Sequence, residues 1–364
     1  MIRESIQKVV MGENLSESEM EKTMEEVIVG SAAASQVGAF VTALRMKGET
    51  VDEITGAARA LRSRVPKLNF RTSESAPLLN LDRDDINVEG ETILETSNTR
   101  ENSTSTFNVS TATAFVAAGG GVRIVRHGNR ATSMYFGAAD VLENLGVNLD
   151  ISNSDVERCI EEAGIAFLFA PLYHGSMRYV AALREDMGIR TIFNLIGPLA
   201  NPAGASRYMM GVYDPSLTEK MIQVLIKLGA EEALVVCGEG MFDEISVCGP
   251  TKISRLINGH TETHTIQPEE YRFKRADRDD IRGGNARENA RIIQNILEGK
   301  AGPRRDTVVL NTAAAYVTAG LDSDLKDGVR RAVEVIDSGK AKEKLETLVQ
   351  FTTQCVPFVR KDLS

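Results

Sequence analysis

A polar loop before a predicted helix is the first stretch whose residue types suit chemistry. It covers 97–106 after a candidate strand at 92–96, and Asn108, Ser110 and Thr111 stand at the start of the helix. A helix N-terminus offers free N–H groups and the positive end of the helix dipole, which attract phosphate. The composition fits equally a Ser/Thr-rich cap and loop without a ligand, and side-chain capping is expected under either interpretation.

A second polar stretch ends another predicted strand and reads Arg126-His127-Gly128-Asn129-Arg130. Two guanidiniums, an imidazole and an amide beside a glycine suit a charged or polar ligand. Ligands of open α/β sheets lie at the carboxyl ends of strands. Alone, such a run is more often a surface turn, but its place after a second strand of the same sheet favours a site.

A pair of adjacent carboxylates, Asp243-Glu244, follows a third predicted strand and a Gly-Glu-Gly turn. Carboxylate oxygens are hard ligands that suit Mg²⁺, usually together with substrate phosphate. Most such pairs are solvated surface groups, so this pattern gains meaning only beside the other two stretches.

The elements that must position these residues divide the chain in two. Residues 1–75 show helical patterns at 16–29, 32–46 and 51–62, with start signals at Ser16 and Thr50. Residues 76–364 alternate strands with helices, which implies parallel pairing. The predicted fold is α/β: a small N-terminal helical domain, joined by helices near 172–188, and a larger α/β domain with a mostly parallel central sheet.

The larger domain is predicted to contain five parallel strands, a hairpin and a series of helices. Its candidate strands are 92–96, 122–125, 165–169, 209–213 and 233–237. Its candidate helices are 109–118, 138–145, 155–163, 217–228 and 286–297. A hairpin is expected at 252–266, and the segment from 306 onward is expected to be helical.

Composition excludes several classes of function. The net charge is −9 and the pI about 5.2, which disfavours nucleic-acid binding because phosphate neutralisation needs a basic surface. We expect no signal peptide and no membrane span, since no apolar run approaches the length of a bilayer. The four cysteines are far apart and predict buried apolar filler in a reducing cytoplasm.

The ordered motifs resemble the anthranilate phosphoribosyltransferase family along nearly the whole chain. The most specific match is the segment Gly188-Ile-Arg-Thr-Ile-Phe-Asn-Leu-Ile-Gly-Pro-Leu199, followed by Asn201-Pro202. The other matches are the segments at 40–50, 108–111, 127–130, 139–143, 243–244, 283–286 and 289–290.

That resemblance implies a reaction and a fold. The family transfers phosphoribosyl from phosphoribosyl pyrophosphate (PRPP) to the amine of anthranilate in tryptophan biosynthesis, and pyrophosphate leaves. Its fold resembles the class III nucleoside phosphorylases, and its helical domains form a homodimer.

The resemblance also implies roles for particular residues. Ser110 holds one Mg²⁺, and Asp243 and Glu244 hold the second. Anthranilate is bound by Asn129, His174 and Arg184, with Arg184 on the carboxylate. The donor site comprises Asn98, Glu101, Asn102, Thr106, Asn108, Ser110, Thr111, Arg126, His127, Gly128 and Asn129.

The chain departs from the family pattern mainly on the donor side. The family's Gly-Thr-Gly-Gly-Asp is Asn98-Thr99-Arg100-Glu101-Asn102 here, which adds side chains and a carboxylate where pyrophosphate binds. A family lysine is Arg126, and a Lys-Ser-Gly-Ser segment is replaced at 135–138 by Tyr-Phe-Gly-Ala. The family His-Pro becomes His-Gly at 174–175. Two interpretations stay open: Arg100 and Glu101 plug an unused donor site, or the phosphate site is remodelled and works.

Three functions therefore remain open from the sequence. The first is a phosphoribosyltransferase-like enzyme acting on anthranilate or a related aromatic amine. The second is a homologue that has lost PRPP use and serves as a ligand-binding or regulatory protein, or uses a different donor. The third is a phosphorolytic enzyme that cleaves nucleosides.

Overall fold

A bundle of helices begins the chain. The computed structural model describes residues 1–68, 78–83, 106–128, 137–173, 178–240 and 242–356. Ser16 and Thr50 form capping boxes with Glu19 and Glu53, which confirms both predicted helix starts. The helices of this part are α1 (Ile2–Val10), α2 (Glu17–Ile28), α3 (Ala34–Lys47) and α4 (Val51–Arg62).

One sheet forms the centre of the larger part. Within the described ranges it holds seven strands in the order β3-β2-β1-β4-β5-β6-β7, and β1 to β5 run parallel while β6 and β7 are antiparallel. This confirms the predicted fold class. The strands are β1 (Leu78–Arg83), β2 (Arg123–Gly128), β3 (Ile165–Phe169), β4 (Arg207–Gly211), β5 (Glu232–Gly238), β6 (Thr251–Ile257) and β7 (His260–Ile266).

Helices cover both faces of this sheet. They are α5 (Val109–Gly119), α6 (Ala138–Asn144), α7 (Asn153–Ala163), α8 (Ala170–Tyr173), α9 (Arg178–Met187), α10 (Ile192–Ile196), α11 (Leu217–Lys227), α12 (Ala286–Leu297), α13 (Pro303–Ala319), α14 (Leu325–Asp337) and α15 (Lys340–Gln354). Short 3₁₀ turns cover Pro198–Ala200, Pro268–Tyr271 and Arg278–Ile281. The predicted helices at 109–118, 138–145, 155–163, 217–228 and 286–297 are confirmed within two residues, as is the helical segment after 306.

The central strand β1 was not predicted from the sequence. Its residues Leu-Leu-Asn-Leu-Asp-Arg mix apolar and polar types, so neither alternation nor an unbroken apolar run marks it. Asn80 is buried and bonds to Pro198 and Asn201, which ties the segment Gly197–Pro202 to the sheet. The candidate strand at 92–96 lies outside the described residues. The other four predicted strands and the hairpin, whose turn Asn258-Gly259 has positive φ at both residues, are confirmed.

The sheet lies between two apolar cores because its side chains alternate between its faces. Tyr208 and Met210 of β4 pack with α1–α4, α10 and α11, whereas Met209 packs with α5 and α12–α15. The first core joins the N-terminal helices to the sheet, and α9 packs on α2 and α3. The boundary predicted near residue 75 lies outside the described residues, and the domain division stays a prediction.

Two of the four cysteines match the expectation of buried apolar filler, whereas Cys248 and Cys355 are only partly buried. All four are free; Cys159 and Cys237 are buried, and burial raises the pKa of each thiol to about 12. Such thiols stay protonated and unreactive near neutral pH. No described helix combines the length and apolar character needed to cross a bilayer.

A buried ion pair fixes the turn between α3 and α4. Lys47 Nζ lies 2.9 Å from Glu53 Oε2, and their side chains are only 7% and 0% exposed. Glu53 also accepts from the backbone N–H groups of Leu15 and Thr50. The pair therefore joins the α1–α2 connection to the start of α4.

We predict that Lys47→Met lowers the free energy of unfolding by about 3–5 kcal/mol, because it leaves the Glu53 carboxylate buried without its cation. The matched control is Arg330→Met, which removes the exposed pair with Asp327 and should change the free energy by less than about 1 kcal/mol. Urea denaturation of both variants measures the difference. Equal losses would contradict this account of the turn.

Candidate functional site

A small cleft opens at the carboxyl ends of the central strands. The chain passes from β1 outward to β2 and β3 and returns to β4 on the other side, so β1 and β4 flank the topological switch point. Open parallel sheets bind ligands at such a point. The cleft is lined by Leu81 of β1, Met209 and Gly211 of β4, Val236 of β5, Val109, Ser110 and Thr113 of α5, Asp243, Glu244 and Asn311.

Asp243 and Glu244 lie on the loop that follows β5. The loop turns back at once, because Gly238 and Phe242 exchange two backbone hydrogen bonds of 2.7 and 3.2 Å. Asp243 is half-buried and Glu244 only 4% exposed. A buried carboxylate at the mouth of a cleft is costly unless a cation or donors compensate it, so this pair is a candidate cation site.

Asn311 holds this loop from the side of α13. Its Oδ1 accepts from Ile245 N at 3.0 Å, and its Nδ2 donates to Ile245 O at 2.8 Å and to Thr307 O at 2.9 Å. All three contacts are buried. One side chain thus fixes both backbone groups of the residue next to Glu244.

Gly211, at the end of β4, lies close against the backbone of the same loop. A Cβ at this position would collide with the carbonyl oxygen of Asp243. The end of β4 therefore approaches the carboxylate-bearing backbone as closely as only glycine permits.

Arg126 connects β2 to the first turn of α5, which lines the cleft. Its guanidinium is 3% exposed, with Nη2 donating to Ser110 Oγ at 2.6 Å and Nη1 to Thr111 Oγ1 at 2.7 Å. The two terminal nitrogens of the planar guanidinium, called the fork below, thereby fix two hydroxyls of the first turn of α5. The structure thus brings together residues from two motifs that are separate in the sequence.

Asn108 occupies the N-cap position of α5 but makes no side-chain cap, so the side-chain capping expected at this helix start is wrong. Its Oδ1 instead accepts from Asn289 Nδ2 at 3.0 Å, while Asn289 Oδ1 accepts from Gly284 N at 2.7 Å. Thr106 forms an isolated bridge with Arg282 just before the helix. The start of α5 is therefore held by residues 281–289 and not by its own capping side chain.

The donor atoms can be tested against a divalent cation. Asp243 and Glu244 supply hard oxygens, which suit Mg²⁺, and no group of three or more potential ligands occurs among the described His, Cys, Asp and Glu residues. Within the part of the chain that the structure describes, the remaining ligands would be water or substrate oxygens. In the same cleft, Ser110 Oγ already accepts from a guanidinium. Two positive unit charges 4 Å apart repel by about 4 kcal/mol at an effective dielectric constant of 20. A divalent ion at that distance from a guanidinium would experience twice this repulsion.

The other predicted site residues fall into two groups. His127 and Gly128 lie on β2 beside Arg126, and Arg184 lies half-buried on α9, with its guanidinium 5.8 Å from the ring centre of Phe193. Arg184 does not line the cleft. Asn98, Glu101, Asn102, Asn129, His174 and the substituted segments near 100 and 135 lie outside the described residues.

Sequence reasoning missed three residues that shape the cleft. Asn311 and Asn289 hold the loop and the helix start, and Thr113 Oγ1 is buried in the cleft wall without a hydrogen-bond partner among the described residues. The motif at 289–290 was noticed but given no role. For Asn311 the available signal was an amide inside the mainly apolar stretch 308–317 of its helix.

Both parts of the chain match known proteins. Residues 3–65 match the helical bundle domain of a glycosyl transferase family, and residues 91–342 match its a/b domain. The anthranilate phosphoribosyltransferase of Geotalea uraniireducens is 49% identical over 354 residues, covering 97% of this chain and 100% of the relative.

Solved structures agree with this result. The anthranilate phosphoribosyltransferase of Thermus thermophilus superposes with a TM-score of 0.84 at 36% identity, covering 96% of this chain and 99% of the other. The Saccharomyces cerevisiae enzyme in complex with PRPP and Mg has a TM-score of 0.83 at 24% identity, covers 97% of this chain and 98% of that one, and supports the fold alone. By sequence and fold, this chain belongs to the anthranilate phosphoribosyltransferase family.

Proposed function

We propose that this chain transfers phosphoribosyl from PRPP to the amine of anthranilate and releases pyrophosphate. The observation that carries the proposal is the 49% identity to an anthranilate phosphoribosyltransferase over almost the whole of both chains. The cleft adds support, because it joins two carboxylates to a helix N-terminus at the switch point of the sheet. A cation site facing an anion site suits a diphosphate.

The reaction is a displacement at the anomeric carbon of the donor. The bond to pyrophosphate breaks, the anthranilate nitrogen bonds to that carbon, and the amine loses a proton. The first-turn N–H groups of α5 and the Arg126 guanidinium stabilise the charge that grows on pyrophosphate. Asp243 and Glu244 hold Mg²⁺, which supplies further charge stabilisation when bound. No strong base is needed, since an arylamine is weakly basic and the leaving group departs readily.

Arg184, Asn129 and His174 are proposed for the acceptor. A guanidinium can bind a carboxylate with two parallel hydrogen bonds, which suits Arg184 to the acid group of anthranilate. Homodimer formation and a cytoplasmic location stay predictions from the sequence.

The second candidate is a homologue that has lost PRPP use. The specific observation in its favour is the loop sequence Asn98-Thr99-Arg100-Glu101-Asn102, which places a carboxylate where the family binds pyrophosphate. A protein of this kind would bind a small ligand without transferring phosphoribosyl, or would use another donor.

Loss of anthranilate fluorescence with PRPP and Mg²⁺ separates the two candidates. We expect turnover by the unaltered chain and at least a hundredfold lower kcat/KM for Glu244→Gln, which keeps the shape but removes the charge. Glu262→Gln, on the exposed strand β7, is the control and should retain full activity. PRPP binding in calorimetry without turnover, or no binding, would favour the second candidate.

The donor loop gives a prediction of its own. Changing Asn98, Arg100 and Glu101 to Gly and Asn102 to Asp should tighten PRPP binding, because the glycines free the backbone to approach a diphosphate and the only carboxylate of the segment moves from position 101 to position 102, where the family has Asp. Calorimetric titration with PRPP and Mg²⁺ measures the dissociation constant. Unchanged affinity would show that this loop does not limit donor binding.

The Asn311 side chain, which holds the loop of Asp243 and Glu244, gives a third test. Asn311→Asp removes the donor to Ile245 O without changing the shape of the side chain. We expect the Mg²⁺ concentration at half-maximal activity to rise about 10–100-fold, because groups that orient ligands influence affinity on this scale. The control is Asn144→Asp on the exposed end of α6. If a folded Asn311→Asp protein reached half-maximal activity at the same Mg²⁺ concentration as the unaltered chain, the bonds of Asn311 to Ile245 would not be needed for metal binding.

A further inference from the structure

We propose that Arg126 takes the place of a metal ion on the Ser110 side of the cleft. The chain then uses one divalent cation, held by Asp243 and Glu244, together with one fixed guanidinium. This inference rests on the proposed function and concerns the donor side of the same site. It replaces the expectation that Ser110 ligates a Mg²⁺ ion.

The fork of Arg126 carries the argument. Its two terminal nitrogens lie 2.6 Å from Ser110 Oγ and 2.7 Å from Thr111 Oγ1, so the guanidinium spans two neighbouring hydroxyls in the first turn of α5. Both contacts are short hydrogen bonds from a charged donor, which are stronger than neutral ones. A cation is therefore already bound to the hydroxyl that a metal on this wall would need.

Burial makes this cation a permanent part of the site. The side chain is 3% exposed, and its backbone lies inside the sheet, where β2 pairs with β3 at this residue. A guanidinium stays protonated at any pH the protein tolerates. The Arg126 guanidinium therefore lies permanently beside the first turn of α5, at the positive end of the helix dipole.

The fixed position of the guanidinium, and not its charge alone, keeps a second metal from the same hydroxyl. A flexible ammonium carries the same charge but can move away from Ser110 Oγ, whereas the guanidinium is held there by its second hydrogen bond, to Thr111 Oγ1. Asp243 and Glu244 line the same cleft, and their carboxylates suit the one remaining metal. The cleft therefore carries two different kinds of cation.

Lysine cannot substitute for this arrangement. Its ammonium is a compact point charge on a flexible stem, whereas the planar fork holds two hydroxyls at once. Arg126→Lys should release one hydroxyl and allow a metal to reach Ser110. The variant keeps the charge, so a change in metal count reports the geometry of the fork.

Counting Mn²⁺ tests the inference apart from activity. Free Mn²⁺ is measured by electron paramagnetic resonance during titration of the chain in saturating PRPP, and a parallel titration of the same PRPP without protein is subtracted to remove the Mn²⁺ that PRPP binds in solution. Thermal unfolding checks that each variant is folded. We expect one Mn²⁺ per chain in the unaltered protein and two in Arg126→Lys. Ser110→Ala should leave the unaltered count at one, and should return the Arg126→Lys count from two to one.

The outcomes separate the inference from the proposed function. Two Mn²⁺ per chain in an unaltered protein that makes phosphoribosyl anthranilate would overturn the inference and leave the function standing. One Mn²⁺ in both the unaltered chain and Arg126→Lys would also overturn it, since the fork would then not set the count. Absence of PRPP-dependent Mn²⁺ binding together with absence of turnover would remove the proposed function and the inference with it.

Discussion

The burial of opposite charges at and behind one narrow cleft is the constraint on which the site depends. Glu244 lines the cleft and is almost fully buried, and Arg126 is almost fully buried behind Ser110, which lines the same cleft. Each group is costly to desolvate, so the surrounding backbone must hold it where an opposite charge can compensate it. Asn311 and the glycine at 211 do this for the carboxylate loop, while Ser110 and Thr111 do it for the guanidinium.

The topology of the sheet explains where this cleft lies. The chain returns across β1 to reach β4, so these two strands flank the switch point of the sheet, and the cleft lies at their carboxyl ends. Helix α5 enters this space with its first turn, and its remaining residues are packed between the sheet and α13 and α15. The apolar remainder of the helix thus anchors a polar, charged end.

Local patterns were sufficient to predict much of this fold. The strand Ile165–Phe169 and the helix Val51–Arg62 follow from an apolar run and from a cap, which act within a few residues. The strand β1 could not be predicted in this way, because Asn80 is buried through bonds to residues more than a hundred positions away. Tertiary partners, and not local preference, decide its conformation.

The candidate site shows the same division. Asp243, Ser110 and Arg126 could be selected because charged and hydroxyl residues follow predicted strands. The bond of Asn289 to Asn108 joins residues 181 positions apart, and the bond of Asn311 to Ile245 joins residues 66 positions apart. Contacts over such separations cannot be predicted from a local sequence pattern. The resemblance to a family indicated which residues meet, and the structure adds which contacts hold them in place.

Anomalous diffraction from a crystal containing Mn²⁺ and PRPP would test the central claim most directly, because it locates metal and diphosphate together. We expect a Mn²⁺ peak between Asp243 and Glu244, with the diphosphate between this ion and the first turn of α5. A diphosphate bound elsewhere, or a metal peak away from both carboxylates, would contradict the account.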